Sequence, residues 1–283
     1  MKRANPKDGA ALSFLYNTAP GRLLLKPLTC RGLSGIAGAF MDSPLSRPLI
    51  GPFVRKHDIR LEDYLGAPYR CFNDFFCRRV RPELRPIAKD PRALIAPCDG
   101  LLTAFPIAEN TVLPVKQSAY TIPDLLGGDS AAARFWDGWC LVFRLCVNHY
   151  HRYCYPDGGA KGENVFIPGV LHTVRPVALS GNPVFVQNCR EYTLMDTDHF
   201  GLVAQIEVGA MLVGRIANHD GPGRIERGQE KGRFLYGGST VILLLEKGRA
   251  VIDDAILDRS QRGIETPVVM GQTIGAAEGR QNA

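Results

Sequence analysis

Downstream of Leu94 the apolar and polar positions follow the two-residue period of strands. In the run from Trp139 to Val147, the residues Trp139, Leu141, Phe143, Leu145 and Val147 fall on one face and Arg144 on the other. Leu202 to Ile206, Ala210 to Ile216, Thr240 to Leu245 and Ala250 to Ile252 predict further strands, with Gly and Pro between them. Upstream the period lengthens. Phe72, Phe75, Phe76 and Arg79 recur at helical spacing, and Asp58 reads as the cap of a helix carrying Ile59, Glu62 and Tyr64. The pattern predicts an α+β fold: a mainly antiparallel β domain over residues 93–283 behind a helical segment over residues 1–92. Asp253 to Ala283 reads as a terminal tail packed back on the sheet. The aromatic stripe at Phe72 to Phe76 has two readings, as core and as a lipid-facing helix side.

Charge sharpens the division between the two parts. Residues 1–92 carry 17 Lys+Arg against 8 Asp+Glu, whereas residues 93–283 carry 17 against 20. A basic, Pro- and Gly-punctuated leading third suits docking on an anionic lipid surface, with nucleic acid as the rival partner. No run of about 18 uncharged apolar residues exists to span a bilayer. The apolar stretch Gly35 to Met41 stops at Asp42 and is cut again by Pro44 and Pro48. No secretory signal is legible, so the expectation is a cytoplasmic protein lying on a membrane. The 8 cysteines show no CxxC or zinc-like spacing, which argues against a disulfide framework and against a metal site. Cys140 and Cys146 read as small core residues.

The chemistry concentrates at Gly237-Gly238-Ser239-Thr240, which leads into Val241-Ile242-Leu243-Leu244-Leu245. Gly-Gly before a β-rich run is an ordinary hairpin turn. It is also a place where a serine hydroxyl can attack the carbonyl before it, because two glycines let the backbone distort. The resulting ester, on losing the serine α-proton, expels the carboxylate of the preceding residue to leave dehydroalanine, which water hydrolyses to ammonia and a pyruvoyl group on the new N-terminus. Such a ketone is an electron sink that does without a soluble cofactor what pyridoxal phosphate does.

This segment resembles the processing site of the phosphatidylserine decarboxylases, and the resemblance extends along the chain in the family's order. Phe72-Asn73-Asp74-Phe75-Phe76 with Arg78-Arg79, Ala96-Pro97-Cys98-Asp99-Gly100, Tyr150-His151-Arg152, Phe166-Ile167-Pro168-Gly169 and Val203 to Ala210 all match, over roughly residues 70–245. The resemblance implies a proenzyme that cuts itself between Gly238 and Ser239 into two chains and carries a pyruvoyl group derived from Ser239. That group would form a Schiff base with phosphatidylserine and release CO2 to leave phosphatidylethanolamine, at the cytoplasmic side of the cell membrane. It also implies no metal and a homodimer. Nucleic acid is then not a partner.

The family's cleavage machinery is an Asp-His-Ser arrangement, which places Asp99 and Ser239. The histidine is less settled. Many family members carry a second histidine three residues after that of Tyr-His-Arg, and here that position is Cys154. Three accounts are open: His151 serves both self-cleavage and the decarboxylation proton, another histidine such as His172 or His149 reaches Ser239, or Cys154 is the base. An imidazole of ordinary pKa near 6.5 suits the task better than a thiol near 8.5, so His151 is favoured and His172 follows. Lys116 matches a family segment and is assigned no more than a phosphate contact. His57, His199 and His219 lie outside the matched motifs. Two rival functions remain: a pyruvoyl decarboxylase of a soluble amino acid, and a non-catalytic β-rich binding relative that lost processing when it acquired Cys154.

Overall fold

The computed structural model describes residues 14–15, 18, 20–21, 23–24, 31–108, 121–170, 188–209, 215–236 and 239–279. His172, Lys116, Gly237, Gly238 and the expected strand residues 210–214 lie outside them.

The leading part is helical in short pieces. Helix α1 (Arg31–Asp42) is followed by a 3-10 segment (Pro44–Leu49), α2 (Ile50–Lys56), a 3-10 turn (Leu61–Asp63), strand β1 (Tyr64–Leu65), α3 (Phe72–Phe76), β2 (Arg79–Val80) and a 3-10 turn (Pro82–Leu84). Prolines at 44, 48 and 52 break the run into turns. The helix expected from Asp58 does not form. Asp58 sits at φ 50° just past α2, Arg60 caps the 3-10 turn, and Tyr64 pairs with Val80 in a two-stranded ribbon. The aromatic stripe proves to be core: Phe72 is 2 % exposed and Phe75 and Phe76 are 0 % exposed. Helix α3 spans only five residues, so Arg79 belongs to β2 and the stripe wraps into a cluster closed by Phe53, Tyr69 and Tyr236. Edge-to-face contacts bind it, Phe53 to Phe72 at 5.1 Å and Phe72 to Tyr236 at 4.9 Å between centroids.

From Ala93 the chain turns to strands: β3 (Ala93–Ile95), β4 (Gly100–Pro106), β5 (Trp139–Leu145), β6 (Arg152–Cys154), β7 (Gly159–Ile167), β8 (Arg190–Thr197), β9 (Gly201–Val208), β10 (Ile216–Asn218), β11 (Gly223–Ile225), β12 (Glu230–Phe234), β13 (Ser239–Leu245), β14 (Ala250–Ile252), β15 (Thr266–Val268) and β16 (Thr273–Ala277). Short helices α4 (Ile122–Leu125) and α5 (Asp254–Gln261) interrupt them. The strands form an antiparallel sheet in the order β11-β7-β8-β9-β13-β5-β4-β15, flanked by β10-β12-β6 and β14-β16-β3. The α+β class expected from the sequence is the one observed.

Every residue of β13 is buried, which explains its unbroken apolar run: it lies at the centre of the sheet with both faces covered. Val142, Ile206, Ile242 and Leu244 face α4 and Phe135. Leu141, Phe143, Val241 and Leu243 face Tyr153, Phe234, Ile252 and Ile256. The face of β5 that holds Arg144 is therefore covered too, and Arg144 meets Glu265 through two bonds of 2.8 and 2.6 Å. Val147 falls beyond the strand, in the turn after Cys146. The segment after Asp253 is more than a tail. Its β15 edges the main sheet beside β4, with Pro267 tolerated at that edge, and β16 is the middle strand of its own sheet.

Candidate active site

The strand register brings Ser239 and Asp99 to one end of the main sheet. Ser239, first in β13, pairs with Leu145, last in β5, and Leu101 of β4 pairs with Arg144. The head of β4, the tail of β5 and the head of β13 are thus three neighbouring strand ends, each about 4.8 Å from the next. Asp99 precedes β4 directly. Gly100 permits this closeness, since a Cβ there would stand 3.3 Å from the Arg144 carbonyl oxygen. The turn after β5 carries His149 and His151 back over the same end and into β6, where the Phe234 amide donates to the His151 carbonyl at 2.9 Å.

Ser239 is 1 % exposed, and its Oγ is buried without a hydrogen-bond partner among the described residues. An unsatisfied buried hydroxyl costs about 1–3 kcal/mol, so it calls for a reason. His151 is 0 % exposed and supplies a matching orphan. Its Nδ1 lies 2.8 Å from the His149 carbonyl oxygen, and its Nε2 has no hydrogen-bond partner among the described residues. A carbonyl can only accept, so the proton is on Nδ1 and Nε2 carries the lone pair. Burial pushes the His151 pKa well below 6.5, the charges of Arg78 and His149 push the same way, and only the bond to the His149 carbonyl opposes them. The ring is a neutral imidazole with an unused basic nitrogen. Phe76 holds it at 4.0 Å between centroids and also meets Tyr236, three residues before Ser239, at 5.2 Å.

The other candidates separate. Asp99, 5 % exposed, gives both carboxylate oxygens to Arg85, at 2.8 and 2.6 Å, and accepts the Met270 amide at 2.9 Å. Its charge is felt at His149, whose pKa burial lowers and Asp99 partly restores. His149 Nδ1 accepts the Cys146 amide at 3.1 Å. Cys154 is fully buried, and burial pushes its pKa up to about 12, which makes the thiol a poor source of base at neutral pH. His199 is tied to Asp157 and His219 to Glu230, while His57 lies against Phe53.

Sequence reasoning missed Arg85, whose partner is 14 residues away, and an ion pair buried in the core. Lys231 Nζ meets Glu207 Oε2 at 2.7 Å with both side chains 0 % exposed, and Asn218 donates to the same oxygen at 3.1 Å. Glu207 pairs with Val241, so it shares the face of the sheet on which Ser239 lies two residues away. A charge inside the apolar run Val203 to Val208 was the available signal. Among the described residues no group of three His, Cys, Asp or Glu side chains could hold a metal ion.

Comparison with known proteins gives the same direction. The profile of the family described as phosphatidylserine decarboxylase matches residues 72–276. Phosphatidylserine decarboxylase proenzyme 2 of Clostridium acetobutylicum is 40% identical over 265 residues, covering 93% of this chain and 91% of that protein. The phosphatidylserine decarboxylase proenzyme of Clostridium botulinum is 39% identical over 270 residues, 93% of this chain and 92% of its own. That of Ruminiclostridium cellulolyticum is 39% identical over 273 residues, with 94% and 91% covered. With most of both chains aligned at such identity, and the matched span running from Phe72 in the aromatic cluster to Ala276 in β16, the chain belongs to the phosphatidylserine decarboxylase family.

Proposed function

We propose that this protein is a phosphatidylserine decarboxylase that activates itself by cutting between Gly238 and Ser239 and carries a pyruvoyl group made from Ser239. The carrying observation is the pair of buried orphans at one end of the sheet, Ser239 Oγ and His151 Nε2, with the histidine tautomer set by the His149 carbonyl. These are the atoms that nucleophilic attack needs: a hydroxyl without a competing partner and a neutral base nitrogen.

In this reading His151 Nε2 takes the proton of Ser239 Oγ as the oxygen attacks the Gly238 carbonyl. Imidazolium formed in that step is disfavoured by burial and by Arg78, so the proton is passed on readily, to the departing amine of residue 239. Loss of the residue 239 α-proton then expels the Gly238 carboxylate and parts the two chains, and water replaces the nitrogen left on residue 239, which departs as ammonia. The fit to the prosthetic group is good, because residue 239 ends in an enclosed position at the head of a central strand. A ketone there supplies an electron sink for the bond broken as CO2 leaves. His151 then serves a second time, returning a proton to the carbon that lost CO2. Phe76 and the aromatic cluster exclude water from that proton.

Phosphatidylserine as substrate is supported by the family, and a membrane-facing side by the leading part, which we take as residues 1–92 ahead of a catalytic part over 93–283. Ile36, Phe40, Leu45 and Leu49 are 71 %, 44 %, 77 % and 41 % exposed, and Arg47, Arg55 and Lys56 are exposed among them. Apolar side chains ringed by cations suit shallow insertion into anionic lipid at the cytoplasmic face. No helix among the described residues is long and apolar enough to cross a membrane.

The test is a mass measurement on purified, active protein. Two chains are expected, 1–238 and 239–283, the second refusing Edman chemistry because a ketone replaces its amine. Ser239→Ala should stay whole and inactive. An active preparation consisting of one intact chain refutes the proposal.

A further inference from the structure

Arg85 ends the 3-10 turn Pro82–Leu84, outside the strands that build the site. Its guanidinium grips Asp99 in a two-point fork, Nε to Oδ1 at 2.8 Å and Nη2 to Oδ2 at 2.6 Å, while Nη1 donates to the Leu84 carbonyl at 2.7 Å. The two side chains are 18 % and 8 % exposed, so the pair is screened from water. The fork and the Met270 amide fix the carboxylate in place and in the plane. Three donors hold the Asp99 carboxylate, no histidine among the described residues bonds to it, and the His151 Nδ1 proton goes to the His149 carbonyl. What Asp99 supplies is a charge at a fixed point beside three strand ends, felt at His149, whose carbonyl in turn accepts from His151 Nδ1. Arg85 decides where that point is.

We infer that Arg85 is a positioning residue for self-cleavage: it holds the Asp99 carboxylate at the head of β4 and so makes the cut depend on the segment that precedes the β domain. The inference rests on the self-cleavage proposed above. Three parts of the chain meet on one carboxylate, the 3-10 turn before the strands, the head of β4, and Met270 beyond the scissile bond. The arrangement therefore reports whether all three have folded before Ser239 is spent. A lysine in place of Arg85 would keep the charge but lose the planar fork. Alanine would leave a nearly buried carboxylate with a single backbone donor.

Pulse-labelled precursor made by translation in vitro, followed on gels, measures the cutting rate for wild type, Arg85→Lys and Arg85→Ala. Wild type should be cut, Arg85→Lys more slowly, and Arg85→Ala slower by roughly tenfold to a hundredfold, as for a misplaced catalytic charge. Millimolar guanidinium chloride should restore part of the Arg85→Ala rate by filling the vacated fork. Once cut, each variant should release CO2 from phosphatidylserine in detergent micelles at the wild-type rate per cut chain. Melting of the same variants with Ser239→Ala monitors folding, and Arg85→Lys keeps the question open to measurement should Arg85→Ala melt too early. Both variants cutting at the wild-type rate overturns the inference, as does slow cutting that guanidinium does not relieve and that is matched by an equal fall in turnover per cut chain. An uncut wild type would instead overturn the self-cleavage proposal itself.

Discussion

His151 offers a stability measurement that isolates one buried ring. Its pKa is lowered well below 6.5 in the folded chain by burial, with Arg78 and His149 adding to the effect, whereas in the unfolded chain it returns to about 6.5. The unfolded chain therefore binds the proton first, so the contribution is complete above the unfolded pKa and is lost as pH falls through and below it. Between pH 7.5 and 5.5 an imidazole that stays neutral when folded and titrates at about 6.5 when unfolded costs about tenfold in the folding equilibrium, on the order of 1 kcal/mol. The perturbation is His151→Gln, which cannot titrate and can still donate to the His149 carbonyl. Both proteins should carry Ser239→Ala so that a single intact chain unfolds. Urea titrations at the two pH values give four free energies, and their double difference removes every other group, including His149, whose pKa is also lowered. On acidification the folding equilibrium of the precursor with His151 should fall by about tenfold more than that of its Gln variant, on the order of 1 kcal/mol. Equal losses would show that His151 is protonated in the fold, and the case for its Nε2 as a base would go with it.

Two further outcomes follow from the same geometry. Cys154→Ser should still be cut and still release CO2 at near wild-type rates, since a thiol raised to about 12 is not the base; a Cys154→Ser chain that stays whole while His151→Ala cuts would reverse the assignment. Liposomes containing anionic lipid should bind the protein, and about 0.5 M salt, with a Debye length of ~4 Å, should release a large part of it; co-sedimentation indifferent to both lipid charge and salt refutes the role of Arg47, Arg55 and Lys56.

The legible features were those carried by one stretch of chain. β13 announced itself because a strand covered on both faces is apolar throughout, and the expectation of chemistry at Ser239, first in that strand, came from a motif contiguous in sequence. The aromatic stripe was legible as core, but the wall it packs against was not. Helical spacing says which side chains share a side, not what lies opposite, and the opposite wall here includes Tyr236, 160 positions after Phe76. The Arg85–Asp99 fork and the Lys231–Glu207 pair were illegible for the same reason, since each joins residues from different elements. The segment after Asp253 looked like a tail because its strands are three and five residues long and broken by Pro267, too short for a period to show.

The position of β13 has a consequence for the life history of the molecule. A chain cut ahead of Ser239 leaves a second fragment that contributes β13 to the middle of the main sheet, β15 to its edge and β16 to the middle of another sheet. Its departure would open two sheets at once, so the fragments stay together without a covalent link. The reverse journey is harder. The precursor folds as one chain, with β13 tethered a few residues from β12; the cut enzyme, once melted, must find its other fragment by diffusion and thread it between β9 and β5. Heated mature enzyme should therefore fail to recover under conditions in which uncut Ser239→Ala refolds, and its endurance is a rate of unravelling and not an equilibrium. Activation by the proposed cut would in this sense be a one-way ratchet: the polypeptide would gain its reactive group by giving up the instructions for assembling itself again.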